Sequence, residues 1–197
     1  MKFENLRELY IHELQDLYDA ENQIIKAMPK IIRSSTTGAL SSALQDHLEV
    51  TKEQVVQLDE LFSKFSEKAG GKKCKGMEGL LKEAEETINE DMDPEVKDAA
   101  IIAAAQRLEH YEIAGYGCVK TYAHLLGDQH AARVLERILN EEKQADQKLT
   151  AIAEEINVEA THGLAGQASS YQGSSSPSQP EGQSGIPGSP RSHRDNS

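Results

Sequence analysis

Apolar residues recur every three or four positions through four long stretches of this chain, which is the spacing of one face of an α-helix. The stretches cover about residues 3–33, 39–69, 94–126 and 129–156. Residue pairs typical of helix ends or starts lie at the breaks: Gly70-Gly71, Asp93-Pro94 and Gly127-Asp128. Pro29 is expected to kink the first helix or to end its regular part. The pattern predicts an all-α fold.

The lengths of the connections decide how these helices pack. Only a few residues join the first helix to the second and the third to the fourth, so each pair is predicted to form an antiparallel hairpin. The connection from Gly70 to Asp93 is much longer and contains an amphipathic segment over about residues 77–90. This arrangement predicts a ferritin-like four-helix bundle with a long crossover between helices 2 and 3 that carries a short extra helix.

Acidic residues interrupt the apolar faces of the last two long helices. With about 100° of rotation per residue, Glu112 lies near the centre of the apolar face of the third helix, and Glu109 lies towards its side. Glu142 and Asp146 occupy the corresponding positions in the fourth helix. A buried carboxylate is costly unless it is paired, protonated or bound to a cation. These four residues therefore predict a metal site inside the bundle.

Residues at equal distances from a hairpin turn lie at the same level of an antiparallel pair. By this criterion Glu112 is level with Glu142, and Glu109 is level with Asp146. In the first hairpin Glu21 is level with a position near residue 48, and His47 lies close to the same apolar face. The candidate metal ligands are Glu21, His47, Glu109, Glu112, Glu142 and Asp146.

Each of these residues also has an ordinary structural interpretation. The carboxylates could lie at a subunit interface or pair with Lys or Arg, and His47 could be a hydrogen-bonded core histidine. Glu13 also lies near an apolar face, but about two turns before Glu21, so it is assigned to another layer. His110 is predicted to face solvent.

The types of ligand narrow the choice of metal. A set that is rich in carboxylates and has at most one histidine favours hard or borderline cations, so Fe or Mn is predicted, with two ions at most. The usual di-iron pattern has a Glu from each of two helices and Glu-x-x-His from each of the other two. This chain instead has Glu109-x-x-Glu112, and Asp146 follows Glu142 by four residues. The sequence has no nucleophile elbow, phosphate-binding glycine loop or Cys-rich finger.

The composition argues against several other classes of protein. The 197 residues include 33 acidic and 21 basic side chains, and the net charge of −12 argues against nucleic acid or an anionic membrane as a partner. No apolar run approaches the roughly 20 residues of a membrane span, and the N-terminus lacks the apolar region of a signal peptide. Cys74 and Cys118 are therefore expected to be free thiols in a cytoplasmic protein.

The chain changes character near residue 160. From Gly163 onward it is rich in Gly, Ser and Pro and has almost no aliphatic side chains. Such a segment cannot bury enough apolar surface to offset the entropy that it would lose on ordering. The prediction is a folded domain over residues 1–160, followed by a disordered tail over residues 161–197.

Five stretches of the sequence resemble a known family. They are YIHELQDLYDAENQ, HLEVTKEQ, MEGLLKEAEE, DAAIIAAAQRLEHYEIAGYG and NEEKQADQKLTAIA. They are similar to the YciE/YciF-like ferritin-like proteins of bacteria, and the resemblance covers about residues 1–158. It implies a ferritin-like four-helix bundle, usually dimeric, that is associated with bacterial stress responses. Members of the family commonly read HLEET where this chain reads HLEVT, so Val50 removes a possible carboxylate next to His47.

Three functions are compatible with the sequence, and whether the protein is an enzyme stays open. The first is a homodimeric di-metal carboxylate protein that binds Fe or Mn and handles oxidants during stress. The second is a metal-free helical homodimer that acts through a protein partner, with its carboxylates sharing protons. The third is a storage cage, which a much larger assembly in solution would distinguish from the other two.

Overall fold

The computed structural model describes residues 3–171, with side chains for residues 3–161. Over that range the protein has five helices and no strands: α1 (Leu6–Ser34), α2 (Gly38–Phe65), α3 (Lys75–Asn89), α4 (Pro94–Leu125) and α5 (Gln129–Tyr171). The all-α fold is confirmed, and α3 is the short helix predicted in the long connection. No helix within the described range is long and apolar enough to cross a membrane. Cys74 and Cys118 are free thiols, as expected.

In the first hairpin, one helix end differs from the predictions. α1 includes Pro29 and ends at Ser34, within one residue of the predicted end. α2 ends before the predicted Gly70, because Ser66 adopts a left-handed conformation with φ of 55°. Pro94 lies in the first turn of α4, where its missing N–H is not needed for an intrahelical hydrogen bond.

A buried carboxylate holds the turn between α1 and α2 against α4. Asp98, in the first turns of α4, is completely buried. Its two carboxylate oxygens accept hydrogen bonds from the backbone N–H groups of Thr36 at 2.7 Å and Thr37 at 2.8 Å. These N–H groups stand at the start of α2, where no preceding turn of helix supplies an acceptor. The contact fixes α2 relative to α4, and both helices contribute to the candidate site.

Close packing also fixes α1 against α4. Gly115 lies in the middle of α4, where a glycine weakens a helix by about 1 kcal/mol relative to alanine. A Cβ atom at Gly115 would lie 2.6 Å from a methyl carbon of Leu17 on α1. The missing side chain therefore allows these two helices to approach each other next to the candidate site.

The apolar core has two parts with a layer of polar side chains between them. The first part includes Ile24, Leu44, Leu108 and Leu149. The second part includes Leu17, Leu58, Tyr116 and Leu139. Between these positions all four long helices contribute buried polar residues, which we call the central polar layer: Glu21, His47, Gln54, Glu109, Glu112 and Glu142.

α5 extends beyond the predicted end of the folded domain. Its helical backbone reaches Tyr171, whereas the sequence predicts disorder from residue 161. Among residues 3–161, Ile156 is the last residue of the helix with a buried side chain. Residues 172–197 lie outside the described range, so disorder in that part of the tail stays a prediction.

Candidate metal centre

Four of the six predicted ligands come together in the central polar layer. His47, Glu109, Glu112 and Glu142 each offer one ligand atom, and these four atoms all lie within 4.8 Å of one another. All four residues are buried. Oxygen and nitrogen ligands lie about 2 Å from small divalent cations. The separations therefore suit donor atoms arranged around one ion.

His47 on α2 faces carboxylates from two other helices. Its Nε2 atom lies 3.2 Å from Oε1 of Glu109 on α4 and 3.7 Å from Oε2 of Glu142 on α5. Burial lowers the pKa of His47 to about 4. The imidazole is therefore neutral near neutral pH, which is the protonation state that a metal ligand requires.

Glu21 on α1 lies beside this group of four. It is completely buried, and the Tyr116 hydroxyl donates a hydrogen bond to its Oε1 atom. Burial raises the pKa of Glu21, and the charge of Glu142 raises it further. Its carboxyl is hydrogen-bonded to that of Glu112, with which it can share a proton. Glu21 thus supplies a further carboxylate next to Glu112.

Asp146 is not brought into the cluster. It lies one turn beyond Glu142 on α5, and its side chain is 21 % exposed. Its Oδ1 atom accepts a hydrogen bond of 3.0 Å from Gln106 and lies 3.3 Å from Nε2 of His110. His110 is 68 % exposed, as predicted. The structure gives Asp146 partners on the surface of α4 instead of a place among the clustered donors.

Two residues of the site are missing from the sequence-based set. Gln54 is completely buried and donates a hydrogen bond from Nε2 to Oε1 of Glu142. Tyr116 is also completely buried and holds Glu21. Helical spacing could have found both, since Gln54 follows His47 by seven residues and Tyr116 follows Glu112 by four. The apolar ring of Tyr116 also suits the apolar face of this helix, so spacing alone does not distinguish it from a core residue.

The four buried glutamates lack basic partners. Within residues 3–161, no Lys or Arg forms an ion pair with any of them, so the alternative of Lys or Arg pairing does not hold. Five of their oxygens have no N–H or hydroxyl donor: Oε2 of Glu21, Oε2 of Glu109, both oxygens of Glu112 and Oε2 of Glu142.

The pKa values of these carboxyls are raised, because burial disfavours a charge that no basic side chain balances. Burial raises the pKa of Glu109 and of Glu112 well above the usual value, and neighbouring carboxylates raise both further. Burial also raises the pKa of Glu142, against the hydrogen bonds from Glu109 and Gln54 that lower it. Without a cation, these carboxyls must share protons with one another.

The fold and this layer define a class of protein: a helical bundle with a buried histidine and carboxylate cluster that could hold a metal ion. The chain belongs to the family described as "Domain of unknown function (DUF892)", whose model matches residues 5–162. It is 44 % identical over 154 residues to Protein YciF of Escherichia coli (strain K12). The aligned region covers 78 % of this chain and 93 % of that protein. The YciF-like resemblance is therefore confirmed.

Solved structures agree with this assignment. One is the E. coli stress protein YciF, with 42 % identity, a TM-score of 0.76, and coverage of 78 % of this chain and 98 % of that one. Another is YcfI from Rhodopseudomonas palustris, described as a putative structural protein. It has 46 % identity, a TM-score of 0.73, and coverage of 75 % of this chain and 94 % of that one.

Proposed function

We propose that the protein binds one or two Fe or Mn ions in the central polar layer and acts in a bacterial stress response. The proposed ligands are Glu21, His47, Glu109, Glu112 and Glu142. The observation that supports this most directly is the set of five buried carboxylate oxygens without an N–H or hydroxyl donor. A cation would satisfy these oxygens and balance their charge, which no Lys or Arg among residues 3–161 does.

The residues around the cluster fit this role. Bound Fe or Mn would supply one-electron chemistry towards oxidants, the class of reaction that stress proteins of this kind would use. Gln54 holds Glu142 through its donated hydrogen bond, and Tyr116 holds Glu21 in the same way. Hydrogen bonds of this kind orient ligands and tune their affinity for the metal. The two apolar parts of the core limit access of water from the ends of the bundle.

Metal analysis of protein purified without a chelator tests the proposal. We expect about one to two Fe or Mn ions per chain, because the layer has donors for two ions at most. Metal-free protein titrated with Mn(II) should bind the ion and release protons, because the carboxyls that share protons must give them up. Protein that contains only trace metal and takes up none in the titration would contradict the proposal.

A second candidate function is that of a metal-free structural or interaction protein. The description of the similar Rhodopseudomonas palustris protein as a putative structural protein favours it. In this case the carboxyls would share protons permanently and the layer would serve only to fix the packing of the helices. The same melting temperature in EDTA and in Mn(II) or Fe(II) would support this candidate over the first.

We also propose that the chain acts as a homodimer. Apolar side chains remain exposed on the surface of the bundle, with Leu125 at 68 %, Val56 at 58 % and Val158 at 58 % exposure. A second copy of the chain could cover such surface. Light scattering at micromolar concentration should give the mass of a dimer. A monomer would contradict this part of the proposal, and a much larger assembly would favour a storage cage.

A further inference from the structure

A pocket between α2 and α5 reaches the candidate metal centre from the surface. Its volume is about 180 Å³. His47 and Glu109, which are buried members of the central polar layer, line it together with the exposed residues Asp46 and Lys148. Because the pocket touches both the layer and the surface, it gives a small molecule a route to the cluster.

Most of the wall of this pocket is apolar. The apolar lining residues are Ala43, Leu44, Val50, Ala145 and Leu149. Val50 stands one turn after His47, where a glutamate would place a carboxylate in the wall. Its methyl groups instead make this part of the wall apolar. Pockets with apolar walls and a few polar groups bind the apolar body of a small molecule and orient it by its polar end.

The charges around the pocket favour an uncharged ligand. Nζ of Lys148 lies 2.8 Å from Oδ2 of Asp46, so this cation already has a partner. Glu109 and Glu141 line the pocket and would repel an anion. With two divalent ions bound, the charges of the four carboxylates of the layer are balanced, so the layer offers a cationic ligand no net attraction. Neither kind of ion therefore gains from entering.

We propose that this pocket binds an uncharged, mostly apolar small molecule that directs its single polar atom towards His47 and Glu109. A cavity of about 150 Å³ holds benzene, so the volume here suits roughly six to eight non-hydrogen atoms. A short primary alcohol is the simplest member of this class. The orientation rests on the proposed function, because the polar atom would meet the metal ion at the inner end of the pocket.

Three probes of equal chain length test the class of ligand. Binding of 1-pentanol, pentanoate and pentylammonium to the full chain loaded with Mn(II), and to the metal-free chain, would be measured by ligand-detected NMR. We expect 1-pentanol to bind at least about tenfold more tightly than either ion to the loaded chain, because an ion loses more hydration than a hydroxyl between apolar walls, and the charge of the metal is already balanced by its carboxylate ligands. Equal or tighter binding of either ion, or no binding of 1-pentanol, would overturn the proposal.

Substitutions in the wall test the place of binding. Val50→Glu puts a carboxylate into the wall, and Ala145→Leu fills part of the volume, so both should weaken 1-pentanol binding by about tenfold or more. Ser63→Glu is the matched control, since Ser63 lies on the same helix, is exposed and does not line the pocket. Melting curves show which variants fold. If Val50→Glu does not fold, Ala145→Leu still tests the place of binding. Unchanged binding in a folded wall variant would overturn the assignment.

The orientation has its own readout. In Mn(II)-loaded protein, the protons next to the hydroxyl of bound 1-pentanol should relax faster than those of its methyl group, and the reverse order would overturn the orientation. Metal analysis of the same samples separates this proposal from the proposed function. Binding that depends on Val50 in a protein that takes up no metal would leave the pocket standing and the metal site refuted. Metal uptake without 1-pentanol binding would refute only the pocket.

Discussion

The Nε2 atom of His47 on α2 lies 3.2 Å from Oε1 of Glu109 on α4, and both side chains are buried. Burial changes the two pKa values in opposite directions, lowering that of His47 to about 4 and raising that of Glu109. Without a cation the pair is therefore a neutral imidazole facing a carboxyl that shares a proton with its neighbours. Metal ions and protons compete for the same oxygens at this site.

Replacing Glu112 by Gln should have different effects with and without metal. In metal-free protein the change removes a carboxyl that repels its neighbours, so the melting temperature should stay the same or rise. With metal the variant lacks a charged ligand, and occupancy should fall. A ligand at 100 times its Kd adds about 2.7 kcal/mol, or roughly 5–10 °C for a domain of this size. The variant should lose most of this gain in melts with Mn(II) or Fe(II) compared with EDTA.

Glu83→Gln is the control for this comparison, because Glu83 lies on the exposed face of α3. It should change neither metal occupancy nor the melting temperature. If wild-type protein melts at the same temperature in metal and in EDTA, and Glu112→Gln lowers that temperature in both, then the carboxylates are structural hydrogen-bonding groups.

The stability of the metal-free protein should fall as the pH rises from about 6.5 to about 8. The buried glutamates have higher pKa values in the folded chain than the usual 4.5, with Glu142 at about 7 and Glu21 at about 8. Their contribution is fully present below the unfolded pKa and is lost as the pH passes the folded pKa. His47 acts in the opposite direction, but its window lies between its folded pKa of about 4 and its usual 6.5.

Melting temperatures of EDTA-treated protein across this pH window provide the measurement. Each proton that the folded state holds after the unfolded state has lost it changes the stability by about 1.4 kcal/mol per pH unit. Glu112→Gln removes one of these protons, so its curve should be flatter than that of the wild type. A wild-type melting temperature that stays level or rises over the window would rule out the shared protons.

Replacing Tyr116 by Phe should weaken metal binding without removing a ligand. The change deletes the hydroxyl that donates to Glu21, so the carboxylate loses the group that orients it. Loss of such a partner typically lowers metal affinity by about 10–100-fold, and an unsatisfied buried oxygen costs about 1–3 kcal/mol. Titration with Mn(II) would measure the affinity. Tyr122→Phe, at a half-buried position on the same helix, is the control, and equal affinities for the two variants would contradict the role of Tyr116.

Truncation after Ala160 should leave the melting temperature within about 1 °C of the full chain. The reason is that Ile156 is the last buried side chain of α5 among residues 3–161. Thermal melts of the full and the shortened chain provide the test. A loss of several degrees would show that residues after Ala160 pack on the folded domain.

The sequence was sufficient to predict the helices and the residues that they turn inward. Successive side chains in a helix rotate by about 100°, so the inward face is a local property that can be read from spacing alone. Glu21, His47, Glu109, Glu112 and Glu142 were predicted in this way, and all are buried. Turn residues likewise placed the start of α4 at Pro94.

Only the tertiary structure decided which inward residues meet. Distance from the hairpin turn placed Glu109 level with Asp146, and Asp146 does pair with Gln106 and His110, which flank Glu109 on α4. It does so nearer the surface, whereas Glu109 turns inward to His47. The level of one helix against another depends on tilt, on close contacts such as Gly115 with Leu17, and on anchors such as Asp98 at the α1–α2 turn. These contacts join residues far apart in the chain, so no local pattern contains them. Helical spacing places Gln54 and Tyr116 on inward faces, but their hydrogen bonds to the buried carboxylates depend on the relative position of the helices.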